Sequence, residues 1–478
     1  MNNFWDASVW GWFFILALIL GSILLGNMLK KSIPFMRKSL IPTSVLGGLI
    51  LLIIAEVYRA ITGVAFFDAD FFGGSGYEVL EIITYHCLAL GFIASSFKAS
   101  DKKMTKQRTG EIFNTGVTTV STYLIQAIFG LAITMIAALI ITDFFACAGI
   151  LLPFGYGQGT GQAMNYGQIY ETDNGFVGGK SFGLTIAALG FLCASIGGVI
   201  HLNILKRKGK IKIVDKQADG LNNEKVEDAN EIPMQGSVDK LTVQIALVAV
   251  AYVLAYAVMA LLGLILPGMK STIFGFNFLI GVLAAIGVKS LINLGRKKNI
   301  IKKQYVNNFL MTRISNFFFD LMVVSGIAAI QLGLLENYWG IIAILGVVGM
   351  IITYAYNRIV ANKLFKDYPE EQFIAMYGML TGTASTGIIL LRELDKNFET
   401  PVADNLVYQN LPAIAFGFPI MLLATFAPTN PGLTLGILVA FFAIMNVILF
   451  RKQIFRRKRA TINQQKTEEN TEQTETAE

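Results

Sequence analysis

The chain has 478 residues, of which 54% are hydrophobic and only 15% charged, with a formal charge of +7. A soluble domain carries about 25% charged residues. That deficit argues against a soluble enzyme, and no enzymatic activity is expected. Apolar stretches long enough to cross a bilayer core of about 30 Å recur along the chain, which predicts an all-α polytopic membrane protein.

The opening stretch MNNFWDASVW lacks the basic flank of a cleavable signal peptide, so the first apolar segment is expected to be retained. Hydropathy predicts spans at 8–30, 41–60, 78–98, 113–142 and 178–205. A hydrophilic linker follows at 206–239. Further spans are predicted at 240–268, 272–295, 305–333, 337–360 and 406–427, with an additional one at 433–450. The tail 460–478 is polar and acidic and is expected to be disordered. Cys87, Cys147 and Cys193 fall in or beside apolar segments and read as small apolar filler. His86 and His201 are too distant in sequence to suggest a local metal site.

Two stretches, 144–167 and 371–392, are rich in glycine and hydroxyls and do not read as clean spans. Charge decides how they run. With the N-terminus outside, the basic segments 30–40, 98–112, 206–240, 296–304 and 358–371 and the run from Arg451 all become cytoplasmic. Of 39 Lys and Arg, only Arg59, Lys180 and Lys270 then fall outside. This bias survives only if both glycine-rich stretches enter and leave on the same side, so both are predicted to be re-entrant. Each half then has five spans with a re-entrant segment before the fifth, and an odd span count inverts the second half. The expected layout is a first repeat at 1–205, the linker at 206–239, a second, inverted repeat at 240–427, an extra helix with its basic flank at 428–459, and a cytoplasmic tail at 460–478. Inverted repeats of this kind occur in secondary transporters, with the site at the repeat interface.

Non-helical backbone at membrane depth needs protein or water around it. Broken helices present free amides to anions and free carbonyls to cations, and glycine admits a close approach to the backbone. The first stretch supplies Gly157, Gln158, Gly159, Thr160, Gly161 and Asn165, and the second supplies Thr383, Ser385 and Thr386 as substrate-binding candidates. Thr381 and Gly382 are candidates for a sodium ion. Asn316 and Asp320, four residues apart on one helix face, join them. Asp320 reads as an ion ligand or proton carrier, or else as a partner in an ion pair or hydrogen bond within the bundle. Arg392 offers a bidentate partner for a substrate carboxylate, or else a cytoplasmic basic residue paired with Asp404. Glu81 is expected to be solvated and His86 packed and hydrogen-bonded. Gln331, Asn357 and Asn410 are polar points in helices without a ranked role. No GxxxxGK[ST] motif occurs, so ATP coupling within this chain is not expected.

These motifs resemble those of the bacterial glutamate:sodium symporter family. The family's first loop reads approximately G-G-H-G-T-G, and Gly157, Gly159, Thr160 and Gly161 match it, with Tyr156 in place of a glycine and Gln158 in place of the histidine. The second loop reads approximately G-F-G-L-G-A-T-P-T-A. Here Gly378, Gly382 and Thr386 match, while Leu380 replaces a glycine and Ser385 the proline. IPTSVLGGL is similar to the family's I-P-x-x-V-x-G-G-L through Ile41, Pro42, Val45, Gly47, Gly48 and Leu49. The resemblance implies sodium-coupled glutamate uptake by alternating access, with sodium as coupling ion and no other cofactor. It further implies a homodimer in a bacterial inner membrane, in contact with lipid and with no nucleic-acid partner. Three rival functions are a sodium-coupled di- or tricarboxylate transporter, a cation:proton antiporter working through Asp320, and a channel or structural membrane protein.

Overall fold

The computed structural model describes residues 3–98, 105–209, 231–234, 237–396 and 398–454. Most of the linker and the entire tail expected to be disordered lie outside the described residues. What is described is helical, with an isolated bridge between Glu231 and Gln304 and no strand among the described residues. Eleven helices are long and apolar enough to span a membrane, and all eleven coincide with predicted spans. The protein is a polytopic α-helical membrane protein.

The first four spans are α1 (Ala7–Ser32), α2 (Thr43–Thr62), α3 (Gly76–Phe97) and α4 (Lys106–Ile140). The fourth starts seven residues before its predicted limit of 113. Thr105 caps it by accepting from the Arg108 N–H, and its polar first turns, KQRTGEI, contain the helix formers Lys106, Gln107, Arg108 and Glu111, which hydropathy alone discards. After a broken segment come α5 (Thr160–Asn174) and the fifth span, α6 (Gly179–Arg207). The second half supplies α7 (Lys240–Ile265), α8 (Asn277–Lys297), α9 (Asn308–Ala328) and α10 (Trp339–Leu364). A second broken segment, α11 (Pro369–Thr381) and α12 (Ala384–Arg392), precedes α13 (Asn410–Phe426) and α14 (Pro431–Leu449).

Two bundles pack together. In one, α1 lies on α2 and α7 on α8, while α3 and α9 form the most extensive helix pair and take α8 and α2 respectively on their flanks. In the other, α4 crosses α10; α13 and α14 pack on α4, and α6 packs on α10 and α11. The most enclosed span is α6, with 67% of its apolar window buried, against 22% for α7, α8 and α14. Leu24, Leu25, Val253, Leu261 and Leu264 lie on exposed apolar faces, the surface a hydrocarbon phase would cover.

Close helix contacts use glycine. A Cβ on Gly48 would meet Ile327 of α9 at 2.7 Å, and one on Gly281 of α8 would meet Ile93 of α3 at 2.8 Å. Small residues let helix backbones approach where apolar burial gives little drive, because lipid is as apolar as the partner helix.

Candidate functional site

The chain breaks twice where two broken segments meet. In the first, a turn at Ala148–Ile150 leads through Leu151–Pro153 into a π-helical turn at Phe154–Gln158. The helix then stops at Gly159, whose φ of 82° and ψ of −172° belong to a region that only glycine enters freely. α5 restarts at Thr160. In the second, α11 ends at Gly382, and Thr383 caps α12 by accepting from the Thr386 N–H at 3.4 Å. The two breaks abut. A Cβ built on Gly159 has the Thr383 methyl at 3.7 Å and the Met322 Cε of α9 at 3.6 Å as its nearest neighbours.

Thr160 is fully buried and its hydroxyl donates to the Met322 carbonyl at 3.1 Å. A Cβ on Gly326 would strike Thr160, and one on Gly161 would lie 2.9 Å from Leu88 and from the Met322 sulfur. The start of α5 is therefore pressed against α3 and α9, at the boundary between the two bundles. The first amides of α5 have no side-chain cap at Gly159, and like the amides of Ala384 and Ser385 at the start of α12 they lie outside the helix ladder. Two positive helix ends thus lie side by side at the junction. Thr383 is half-buried and Ala384 and Ser385 are exposed, so the junction has an open side.

The predicted residues divide cleanly. Gly157, Gln158, Gly159, Thr160, Gly161, Thr381, Gly382, Thr383, Ser385 and Thr386 are gathered at or beside the breaks. Asn165 sits one turn further along α5, where it donates to Gln162 and to the Gly275 carbonyl at 3.3 Å each. The segment does not close at 167 as predicted; α5 runs on to Asn174 because Tyr166 and Tyr170 are buried and donate to the Met421 and Ala424 carbonyls of α13 at 2.7 Å. Arg392 is not at the junction. It closes α12, about 12 Å of helix rise away, with its guanidinium over the Phe398 ring, while Asp404 lies 3.9 Å from Arg108. Asn316 and Asp320 share a face of α9 as predicted, and both are exposed. That face lies about 200° round the helix from Met322, and Asp320 is within hydrogen-bonding reach of Ser44 on α2. Thr381 and Gly382 lie at the end of α11, where the Thr381 hydroxyl donates to the Tyr377 carbonyl at 2.6 Å. Glu81 is not simply solvated; it pairs with Lys180 at 2.8 Å. His86 bonds the Tyr252 hydroxyl at 2.7 Å. Among the described residues no group of three His, Cys, Asp or Glu is placed to hold a metal ion.

Sequence reasoning missed a lane of buried polar side chains along α4. Thr115, Thr118, Thr119, Thr122 and Gln126 are all buried. Thr119 donates to Gln409 at 2.9 Å, Gln372 of α11 to Thr115 at 3.3 Å, and Gln126 to both Thr353 of α10 and the Leu380 carbonyl of α11 at 2.8 and 2.9 Å. Hydropathy hides such a lane because threonine is nearly neutral on any transfer scale. The signal was the run TGVTTVST at Thr115–Thr122 together with an internal recurrence: TYLIQ at 122–126 returns as TYAYN at 353–357. The breaks recur in the same way, FGYGQGTG at 154–161 against YGMLTGTA at 377–384.

At the start of α11, Glu370 holds a bidentate pair with Arg358 and accepts from His201 at 3.1 Å. Partial burial pushes the Glu370 carboxyl up, but the Arg358 guanidinium and His201 outweigh it and hold the group down at about 2, against an ordinary 4.5. A depressed acid contributes stability that is present above the unfolded value and lost as pH falls through the folded one. Glu370→Gln is therefore expected to lower the melting temperature at pH 7 by about 2–4 °C, the shift of roughly 1 kcal/mol left after solvent screening. The deficit should shrink below pH 4.5, which a thermal series from pH 7 to pH 3 checks.

No family model matches the chain, and no curated protein matches it.

Proposed function

We propose that the protein is a secondary active transporter that takes up a small carboxylate, glutamate first, on the sodium gradient by alternating access, with its N-terminus outside and its C-terminus in the cytoplasm. The observation that carries this reading is the junction itself, where two helix breaks from opposite halves of the chain bring the N-terminal ends of α5 and α12 together at a boundary between bundles. Anions bind such ends because unpaired N–H groups and the helix dipole act together. A carboxylate there would take hydrogen bonds from the amides at the starts of α5 and α12 and from the Thr383 and Ser385 hydroxyls, and Gly159 lets it approach the backbone.

The inverted repeat is part of the same proposal. Its support is reciprocal packing: α1 on α2 matches α7 on α8, α2 on α9 matches α8 on α3, and α4 on α13 matches α10 on α6, with the α3–α9 and α4–α10 pairs at the centre. The recurring TYLIQ/TYAYN and FGYGQGTG/YGMLTGTA strings fall on matching elements. With that symmetry both broken segments are re-entrant, one from each side. Because Thr160 bonds α9 across the bundle boundary, sliding one bundle past the other would open the junction to alternate sides.

Radiolabelled glutamate uptake into proteoliposomes, with and without an inward sodium gradient, tests the proposal. Uptake should require sodium, and Thr160→Ala and Thr383→Ala should each reduce it about tenfold, the cost of one hydrogen bond near 1.4 kcal/mol. Folded protein that takes up nothing would sink glutamate as the substrate. Sodium-for-proton exchange without any organic acid, lost in Asp320→Asn, would favour the antiporter instead.

A further inference from the structure

The two TYxx[QN] strings meet. α4 and α10 cross antiparallel so that Gln126 donates to the Thr353 hydroxyl at 2.8 Å and Asn357 donates to the Thr122 hydroxyl at 3.3 Å. The four side chains form a square in which each helix gives one amide and one hydroxyl. All four residues are buried. The amide orientations are fixed by main-chain acceptors, since Gln126 Nε2 also donates to the Leu380 carbonyl at 2.9 Å and Asn357 Nδ2 to the Thr353 carbonyl at 2.9 Å. Neither amide oxygen takes part in these bonds, and Gln126 Oε1 and Asn357 Oδ1 are both buried without a hydrogen-bond partner. A buried acceptor left unpaired costs about 1–3 kcal/mol, and this square leaves two, one from each helix.

We propose that this square is a binding site for a monovalent cation, with Gln126 Oε1, Asn357 Oδ1 and the free lone pairs of the Thr122 and Thr353 hydroxyls as its ligands. The amide hydrogens are already donated and the Thr122 hydroxyl gives its own to the Thr118 carbonyl, which leaves the two amide oxygens as open acceptors. Neutral hard oxygens suit sodium. This assignment differs from one through Asn316 and Asp320, and it deepens the transport reading above, on whose coupling ion it depends.

The square also explains how coupling would arise. It holds no acid, so a cation there carries an uncompensated charge in a low-dielectric surrounding, which is costly. The compensating charge is an anion at the junction. The α4 stretch bearing the square grips both breaks at equivalent points. Tyr123 donates to the Gly157 carbonyl at 3.1 Å and Gln126 to the Leu380 carbonyl, each acceptor lying two residues before a break glycine. Cation and carboxylate would each raise the affinity of the other by the same factor, as linkage requires.

Sodium chloride titrated against choline chloride at constant ionic strength, with melting temperature as the readout and no organic acid present, tests the site on the purified full chain. Sodium should raise the melting temperature saturably. Gln126→Ala and Asn357→Ala should raise the half-saturating sodium concentration about tenfold or more, the loss of roughly 1.4 kcal/mol of ligation. Where either alanine variant fails to fold, Thr353→Val decides, because it removes one ligand oxygen at nearly constant shape and should likewise raise the half-saturating concentration. No sodium-specific shift in the parent chain, or one that all these variants leave unchanged, would overturn the proposal. The transport reading fails separately, through absent uptake, and uptake whose sodium dependence Gln126→Ala leaves intact would remove this site while leaving that reading in place.

Discussion

Gly159→Ala is expected to abolish uptake, by about a hundredfold or more, in a protein that still folds. The reason is conformational. At φ 82° and ψ −172° a β-carbon is strained by about 1–3 kcal/mol. Space is not the issue, since the nearest side-chain atoms to that carbon lie at 3.6 and 3.7 Å. The backbone would relax toward negative φ, and the amides at the start of α5 would turn off the junction. Displacing a group by about 1 Å at a site built on orientation costs on the order of a hundredfold in rate. Gly175→Ala is the control. Gly175 also has a positive φ, 71°, with nothing within 4 Å of its added carbon, and it closes α5 at the end away from the break. It should lose comparable stability and keep its uptake. Proteoliposome uptake normalised to monodisperse protein compares the two, and wild-type kinetics in Gly159→Ala would take the break out of the site.

The spans were legible because each needs only length and apolarity, and those are additive along the sequence. The breaks were legible for a related reason. Gly157, Gly159 and Gly161, like Thr381, Gly382 and Thr383, interrupt apolar surroundings with glycines and hydroxyls that a plain apolar span does not need. What the sequence concealed depends on distance in space. Asn316 and Asp320 share a face by helical periodicity, yet periodicity cannot say which neighbour that face meets. It meets Ser44 on α2. Arg392 follows Thr386 closely in sequence, but a helix carries it to the far end of α12. The length of α5 was underread because its sequence is polar, and tertiary bonds from Tyr166 and Tyr170, not its own hydropathy, hold it. The α4 lane was concealed most deeply. Thr122, Gln126, Thr353 and Asn357 acquire meaning only as two pairs facing each other, and that is visible in sequence only when the two halves are laid over one another.

Gly149→Val is expected to lower stability by about 3 kcal/mol or more and to leave little monodisperse protein, because it attacks the placement of the first broken segment rather than its chemistry. Gly130 of α4 and Gly149 of the turn leading to the break touch backbone to backbone, and a Cβ on either would fall inside the carbonyl of the other. The same contact is stitched by Thr134, whose hydroxyl donates to the Ala146 carbonyl at 2.7 Å and accepts from the Gly149 N–H at 3.1 Å. No rotamer relieves such a clash, since backbone atoms make both sides of it, so the helix and the turn must separate. Separation would cost the buried Gly149 amide and the Ala146 carbonyl their partner. Thr134→Val marks the smaller end of the scale, losing those two bonds without the clash, for about 1–3 kcal/mol. Size-exclusion profiles and thermal stability in detergent should rank wild type above Thr134→Val above Gly149→Val. A Gly149→Val protein that is monodisperse and transports would mean that the first break is not fixed by its dock on α4. The abutment of Gly159 with Thr383, and the anion site built on it, would then need another support.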